Sequence, residues 1–144
     1  MKPIYFSILI SQILILSSCN STKVMTQNKE KLLTNCIWQY DELFNNYSQS
    51  YANLVYKRGK ANNFYHLDND KYIFNTDGTF RAVLSSAPFT LTGTWKFLNN
   101  NTQLLFQNSS GETFTGNIIQ LDKNNYIFFD PATDSYGKLI PISK

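Results

Sequence analysis

The second half of the chain is cut by turn chemistry into short alternating segments at near-regular intervals. That rhythm constrains the fold more than any other feature. Tyr72-Ile73-Phe74 and Thr79-Phe80-Arg81-Ala82-Val83 flank Asn75-Thr76-Asp77-Gly78, a hairpin signature in which Gly78 can supply a positive φ. Phe89 to Phe97 reads as the next strand, closed by Asn99-Asn100-Asn101, and Gln103 to Gln107 follows before the turn Asn108-Ser109-Ser110-Gly111. Thr113 to Leu121, the turn Asp122-Lys123-Asn124-Asn125, Tyr126 to Phe129 with Asp130-Pro131, and a last strand over Gly137 to Ile142 complete the series. Such spacing predicts an antiparallel barrel or sandwich, and closure removes the exposed strand edges that favour aggregation.

Upstream the pattern is less regular. Cys36-Ile37-Trp38-Gln39-Tyr40 alternates with strand period, placing Cys36, Trp38 and Tyr40 on one face. Lys29 to Leu33 fits a short helical turn leading into the fold. Leu43, Phe44, Tyr47, Tyr51, Leu54 and Val55 also fit helical spacing, so the region from Leu43 to Tyr56 reads as an irregular strand or a short helix. At 144 residues and 42% hydrophobic composition, the chain is long and apolar enough for one folded domain. Aromatic side chains and abundant Asn suit pleated surfaces and tight turns, respectively.

The first residues are a separate matter. Lys2 gives a short positive region, and Ile4 to Leu16 is apolar apart from Ser7, Ser11 and Gln12. That stretch is short of the roughly 20 residues of a membrane span and matches a secretory signal peptide. It ends in Leu16-Ser17-Ser18-Cys19, which resembles the lipobox of bacterial lipoproteins. The resemblance implies residues 1–18 as a cleaved signal, diacylglycerol on the Cys19 thioether, and usually an acylated amino terminus. Two or three acyl chains hold stably where one holds marginally. Residues 19–30 read as a lipidated flexible tether, with the folded domain at 31–144. Asn20 is not the aspartate of the enteric inner-membrane retention signal, and no acidic run follows Cys19. The expected location is therefore the outer membrane, facing the periplasm.

Candidate chemistry is sparse. With Cys19 committed to lipid, Cys36 has no disulfide partner and reads as a buried thiol. His66, Asp68 and Asp70 share one face of an extended segment, yet a transition-metal site wants more imidazole or thiolate, and Ile73 stands where an EF-hand would need Gly. A polar loop is the expectation there. Asp41-Glu42, Asp122, Asp130 and Asp134 read as acids beside turns. Neither a nucleophile elbow nor a phosphate loop is present, so neither an enzyme nor a cofactor is expected. The formal charge of +3 includes Lys2, and Lys57, Arg58 and Lys60 form the nearest approach to a basic run. They read as a solvated loop or strand end, without the footprint of a nucleic-acid site.

Three pieces now fall in order: Trp38 in an early strand, Phe74-Asn75-Thr76-Asp77-Gly78-Thr79-Phe80 as a central hairpin, and Gly93-Thr94-Trp95-Lys96-Phe97 in a later strand. This arrangement resembles the lipocalin-like domains of Gram-negative bacterial lipoproteins over residues 32 to 142. It implies an all-β, antiparallel up-and-down barrel of about eight strands with a short N-terminal helix. The motif residues read first as fold determinants: Trp38 and Trp95 as apolar plugs needing an N–H partner, Gly93 as a strand bend, Asp77-Gly78 as turn chemistry. An eight-strand barrel either fills itself or holds one small ligand, and with so many rings the filled interior is slightly favoured. Tyr40, Tyr72, Phe80, Trp95, Phe97, Phe106 and Phe128 are the interior positions for a ligand. The expected partners are the membrane, through Cys19, and a small hydrophobic ligand. The alternative is a non-enzymatic envelope lipoprotein that docks or inhibits a protein through the barrel surface.

Overall fold

The computed structural model describes residues 28–45, 53–85 and 90–143. The alternating segments form nine strands: β1 Ile37–Asn45, β2 Asn53–Lys57, β3 Lys71–Phe74, β4 Thr79–Val83, β5 Thr90–Leu98, β6 Gln103–Asn108, β7 Thr113–Leu121, β8 Tyr126–Asp130 and β9 Ser135–Ile142. Each is antiparallel to its neighbours in the order β2-β1-β3-β4-β5-β6-β7-β8-β9, and β1 also pairs with β9. That last ladder runs from Ile37↔Ile142 to Asn45↔Ser135 and closes the sheet. The other edge of β1 is divided: Ile37 to Gln39 pair with β3, and Glu42 to Asn45 pair with β2. Strands β2 and β3 are thus two halves of one wall position. The result is a closed eight-position antiparallel barrel with one extra strand and one short helix.

Residues 58–70, between the two half-strands, leave the wall and fold back over the outer edge of β2. The Phe64 N–H donates to the Val55 carbonyl at 3.0 Å, and the Asn63 side chain meets both the N–H and the carbonyl of Lys57 at 2.9 Å. Peptide groups that would otherwise offer a template for another chain are satisfied internally. Within this segment Lys57 ends β2 and bridges to Glu42 at 2.9 Å. Arg58 donates to the carbonyls of Tyr40 and Asp68.

Turn geometry follows residue chemistry. Gly78 has φ 82°, while Asn99, Asn100 and Asn101 take φ 49°, 54° and 65°. Asn tolerates this left-handed region better than other side chains do. The Asp77 carboxylate accepts from the Thr79 hydroxyl and N–H, which holds its pKa below the usual range. Asp122 caps the β7–β8 turn in the same way, on the N–H groups of Asn124 and Asn125. Asp130 accepts from the Ala132 N–H. Asp41 and Glu42 do not sit beside a turn. They lie inside β1, where a bulge between Tyr40 and Glu42 turns both toward solvent, and Asp41 bridges to Lys138 at 2.6 Å.

One end of the barrel is closed. A helix over 28–34 lies there, beginning inside the segment read as tether, and its Leu33 is fully buried. The Lys29 ammonium donates to the Asn101 carbonyl at 2.8 Å, fastening the helix to the β5–β6 turn. The Trp38 indole N–H donates to the Leu33 carbonyl at 2.9 Å, and that of Trp95 to the Asn75 carbonyl at 3.1 Å. Both plugs therefore find the partner a buried indole needs. Trp38 meets Tyr126 edge-on at 6.0 Å, and Phe74 meets Trp95 at 5.9 Å. Cys36 is half-buried and packs against this core. Gly93 has a sharper role than a bend: a Cβ there would fall 2.0 Å from the Gln107 carbonyl oxygen of β6.

Candidate ligand-binding cavity

The opposite end stays open because small residues occupy inward positions there. Alternation aims Tyr40, Tyr72, Ala82, Phe106, Phe128 and Leu139 inward, but Ala82 and Gly116 contribute almost no volume. The space left is a cavity of about 400 Å³. Its mouth is rimmed by Leu84, Leu91, Phe114, Pro131 and Ala132, next to the β4–β5, β6–β7 and β8–β9 connections. Phe74, Phe80, Phe106 and Tyr126 line its deeper part. The expectation of a solidly filled interior is corrected. Rings fill only the closed half, and the volume near the mouth lies within the roughly 300–1,000 Å³ typical of small-molecule sites.

Among the sequence-derived positions, Tyr40, Tyr72, Phe80, Phe106 and Phe128 come together on this wall. Trp95 and Phe97 do not line it. Strand β5 runs from the mouth toward the closed end, so its later residues meet in the lower core, edge-on at 5.5 Å. Sequence reasoning passed over Ala82, Leu91, Phe114, Tyr126 and Leu139. The signal for them was the inward register of their strands, read together with small residues at neighbouring inward positions.

The lining is apolar with a few polar points: the hydroxyls of Tyr40, Tyr72, Tyr126, Thr113 and Thr115, and the Asp130 carboxylate at the rim. Among the described residues no Lys, Arg or His lines it. The rings of Tyr40 and Tyr72 meet edge-on at 5.7 Å. Burial pushes Tyr40 up to about 12 and Tyr72 well above its ordinary value, with Asp70 adding to both. Burial also raises Tyr126. All three are neutral phenols across the physiological range, able to hydrogen-bond without carrying charge.

The remaining polar candidates are engaged elsewhere. His66 is exposed. Asp68 accepts from the Tyr56 hydroxyl at 3.1 Å, and Asp70, only 3% exposed, accepts from the Ser85 N–H and hydroxyl. Among the described residues no group of three His, Cys, Asp or Glu side chains is placed to hold a metal. No described helix is long and apolar enough to cross a membrane. Residues 1–18, read above as a signal peptide, and Cys19 lie outside the described residues.

A closed antiparallel barrel, plugged at one end and opening at the other into an apolar cavity, is lipocalin-like in fold. Two solved structures share it. A DUF4847 family protein from Bacteroides vulgatus has a TM-score of 0.55 at 12% identity, covering 80% of this chain and 98% of that one. A lipocalin-like protein from Bacteroides uniformis has a TM-score of 0.52 at 12% identity, covering 77% of this chain and 99% of that one. At that identity the likeness establishes the fold alone. No family model and no curated protein sequence matches the chain.

Proposed function

We propose that this chain is a lipoprotein, anchored to the outer membrane through Cys19, whose barrel binds a small hydrophobic ligand. The observation that carries the binding role is the one-ended apolar cavity of about 400 Å³. An apolar molecule entering it exchanges water contact for ring and aliphatic surface, worth roughly 25 cal/mol per Å² buried. The test is Nile red fluorescence with the purified protein. Saturable, blue-shifted binding is expected, and Leu91→Trp at the mouth abolishes it. Absence of binding to the wild type, or undiminished binding to the variant, counts against the cavity.

The anchor has a separate test. Cys19→Ala is expected to abolish incorporation of labelled fatty acid in cells and to leave unprocessed precursor; retained labelling refutes it. A docking role finds support in one surface feature. Phe64 is 78% exposed and packs edge-on against Tyr65 at 4.9 Å, an unusual placement for a large ring. Photo-crosslinking from position 64 in cells tests that alternative, which falls if no protein neighbour is captured.

A further inference from the structure

The cavity wall contains a polar atom that the fold does not use. Tyr126 is 2% exposed, lines the deeper part of the cavity, and is walled by Trp38 and by Phe128 at 5.4 Å. Among the described residues its hydroxyl has no hydrogen-bond partner; burial and the neighbouring Tyr40 are all that act on it. Among the described residues the one fully sealed side-chain polar atom without a partner is Nη2 of Arg58, so the Tyr126 hydroxyl borders the open cavity, where a ligand acceptor can reach it. The register places Tyr126 deliberately. It pairs with Leu139, which pairs with Tyr40, so the three side chains form one inward row across β8, β9 and β1. In that row Tyr40 meets Tyr72 edge-on, with ring centroids 5.7 Å apart.

We propose that Tyr126 is the specificity-determining residue of the cavity, donating a hydrogen bond to a neutral oxygen, such as a ketone or ester carbonyl, on an otherwise apolar ligand inserted end-first. This rests on the cavity being a ligand site. The charge pattern narrows the class. Among the described residues no cationic side chain lines the cavity, and the one carboxylate, Asp130, stands at the rim. A ligand carboxylate would be stripped of water deep in the barrel without a countercharge, which strongly disfavours the ionised form. A neutral carbonyl has no such cost. It supplies the acceptor that a phenol lacks in an apolar surround, and a plain hydrocarbon does not. The discrimination follows the general rule that a site built to hydrogen-bond rejects the analogue lacking the group.

The experiment uses competition against Nile red on the full chain with three probes of equal length: dodecanone, dodecane and dodecanoate. The wild type is expected to bind dodecanone about fivefold more tightly than dodecane, with dodecanoate weakest. A fivefold ratio corresponds to about 1 kcal/mol, the net value of one hydrogen bond. Tyr126→Phe keeps the ring and its packing and removes the hydroxyl. It is expected to bring dodecanone down to the level of dodecane while leaving dodecane unchanged. Equal affinities for dodecanone and dodecane in the wild type overturn the assignment while leaving the cavity reading intact, because both probes still bind. A dodecanoate preference overturns the neutral-ligand class. If neither Nile red nor any probe binds, the cavity reading itself fails, and the Tyr126 assignment with it.

Discussion

Gly93→Ala is expected to cost this protein more stability than any other single methyl group added at its glycines. The added carbon would lie 2.0 Å from the Gln107 carbonyl oxygen, 2.8 Å from the Asn108 Cα and 2.8 Å from the Phe80 ring. Ordinary contact begins near 3.4 Å, so the carbonyl must retreat by about 1.4 Å. That carbonyl is main chain in β6, fixed by its ladder with β5 at Thr94↔Gln107 and Gly93↔Asn108. Parting the strands there combines an overpacking cost of about 1–3 kcal/mol with ladder hydrogen bonds worth about 0.5–1.5 kcal/mol each. A total of about 3–4 kcal/mol follows, or a fall in Tm of about 12–16 °C for a domain of this size. Gly116→Ala is the control, because its added carbon meets only the Phe128 ring at 3.6 Å, an ordinary contact. It is expected to fall within about 0.5 kcal/mol of the wild type or to stabilise slightly through the unfolded chain. Both variants are read by thermal melts in circular dichroism and by urea titration followed through Trp38 and Trp95. A Gly93→Ala protein melting with Gly116→Ala would refute the close-approach account.

Further outcomes follow from the same contacts. Gly137→Ala places a carbon 2.4 Å from the tip of the Phe128 ring, which can yield into the cavity at an off-rotamer cost of about 0.5–1.5 kcal/mol. Nile red binding is expected to weaken far more than Tm falls; unchanged affinity would argue against it. Trp38→Phe removes a fully buried indole and strands the Leu33 carbonyl, for about 2–3 kcal/mol by urea denaturation. High pH tests the buried phenols. Tyr40 titrates near 10 when unfolded and about 12 when folded, so its contribution is fully present below 10 and lost as pH rises through 12. That shift amounts to about 2–3 kcal/mol. Urea midpoints should fall across that window as phenolate absorbance appears with unfolding, and a midpoint constant to pH 12 contradicts the burial of Tyr40.

The barrel was legible wherever local turn chemistry agreed with period two. Thr113–Leu121 carries the same bounds in sequence and structure, and the triple Asn turn and the Asp77-Gly78 hairpin stand where they were read. The segment after Tyr40 was ambiguous for a physical reason. One bulge adds Asp41 to β1 opposite β9, and another adds Val55 to β2 opposite Leu43 and Phe44, so strict alternation is broken on both strands of this pair. Polar loop chemistry marked both ends of the excursion over 58–70, but the division of one wall position into β2 and β3 was not legible, because it depends on which edge of β1 each half-strand meets. The interior was half legible: the aromatic positions follow from alternation. Whether they meet in the middle depends on Ala82 and Gly116, which leave space in the cavity, and on Gly137, whose missing side chain makes room for the Phe128 ring.

The helix over 28–34 also determines orientation. Because the chain enters at the plugged end, a lipid on Cys19, as proposed, would lead through only residues 20–27 before the first fixed turn. Eight residues reach at most about 26–29 Å. That keeps the plugged base nearest the bilayer and favours a mouth facing the aqueous compartment. In this posture the protein is poorly placed to draw a lipid sideways out of its own leaflet. Under the proposed function it would suit an upright receptacle, loaded and emptied from the water side.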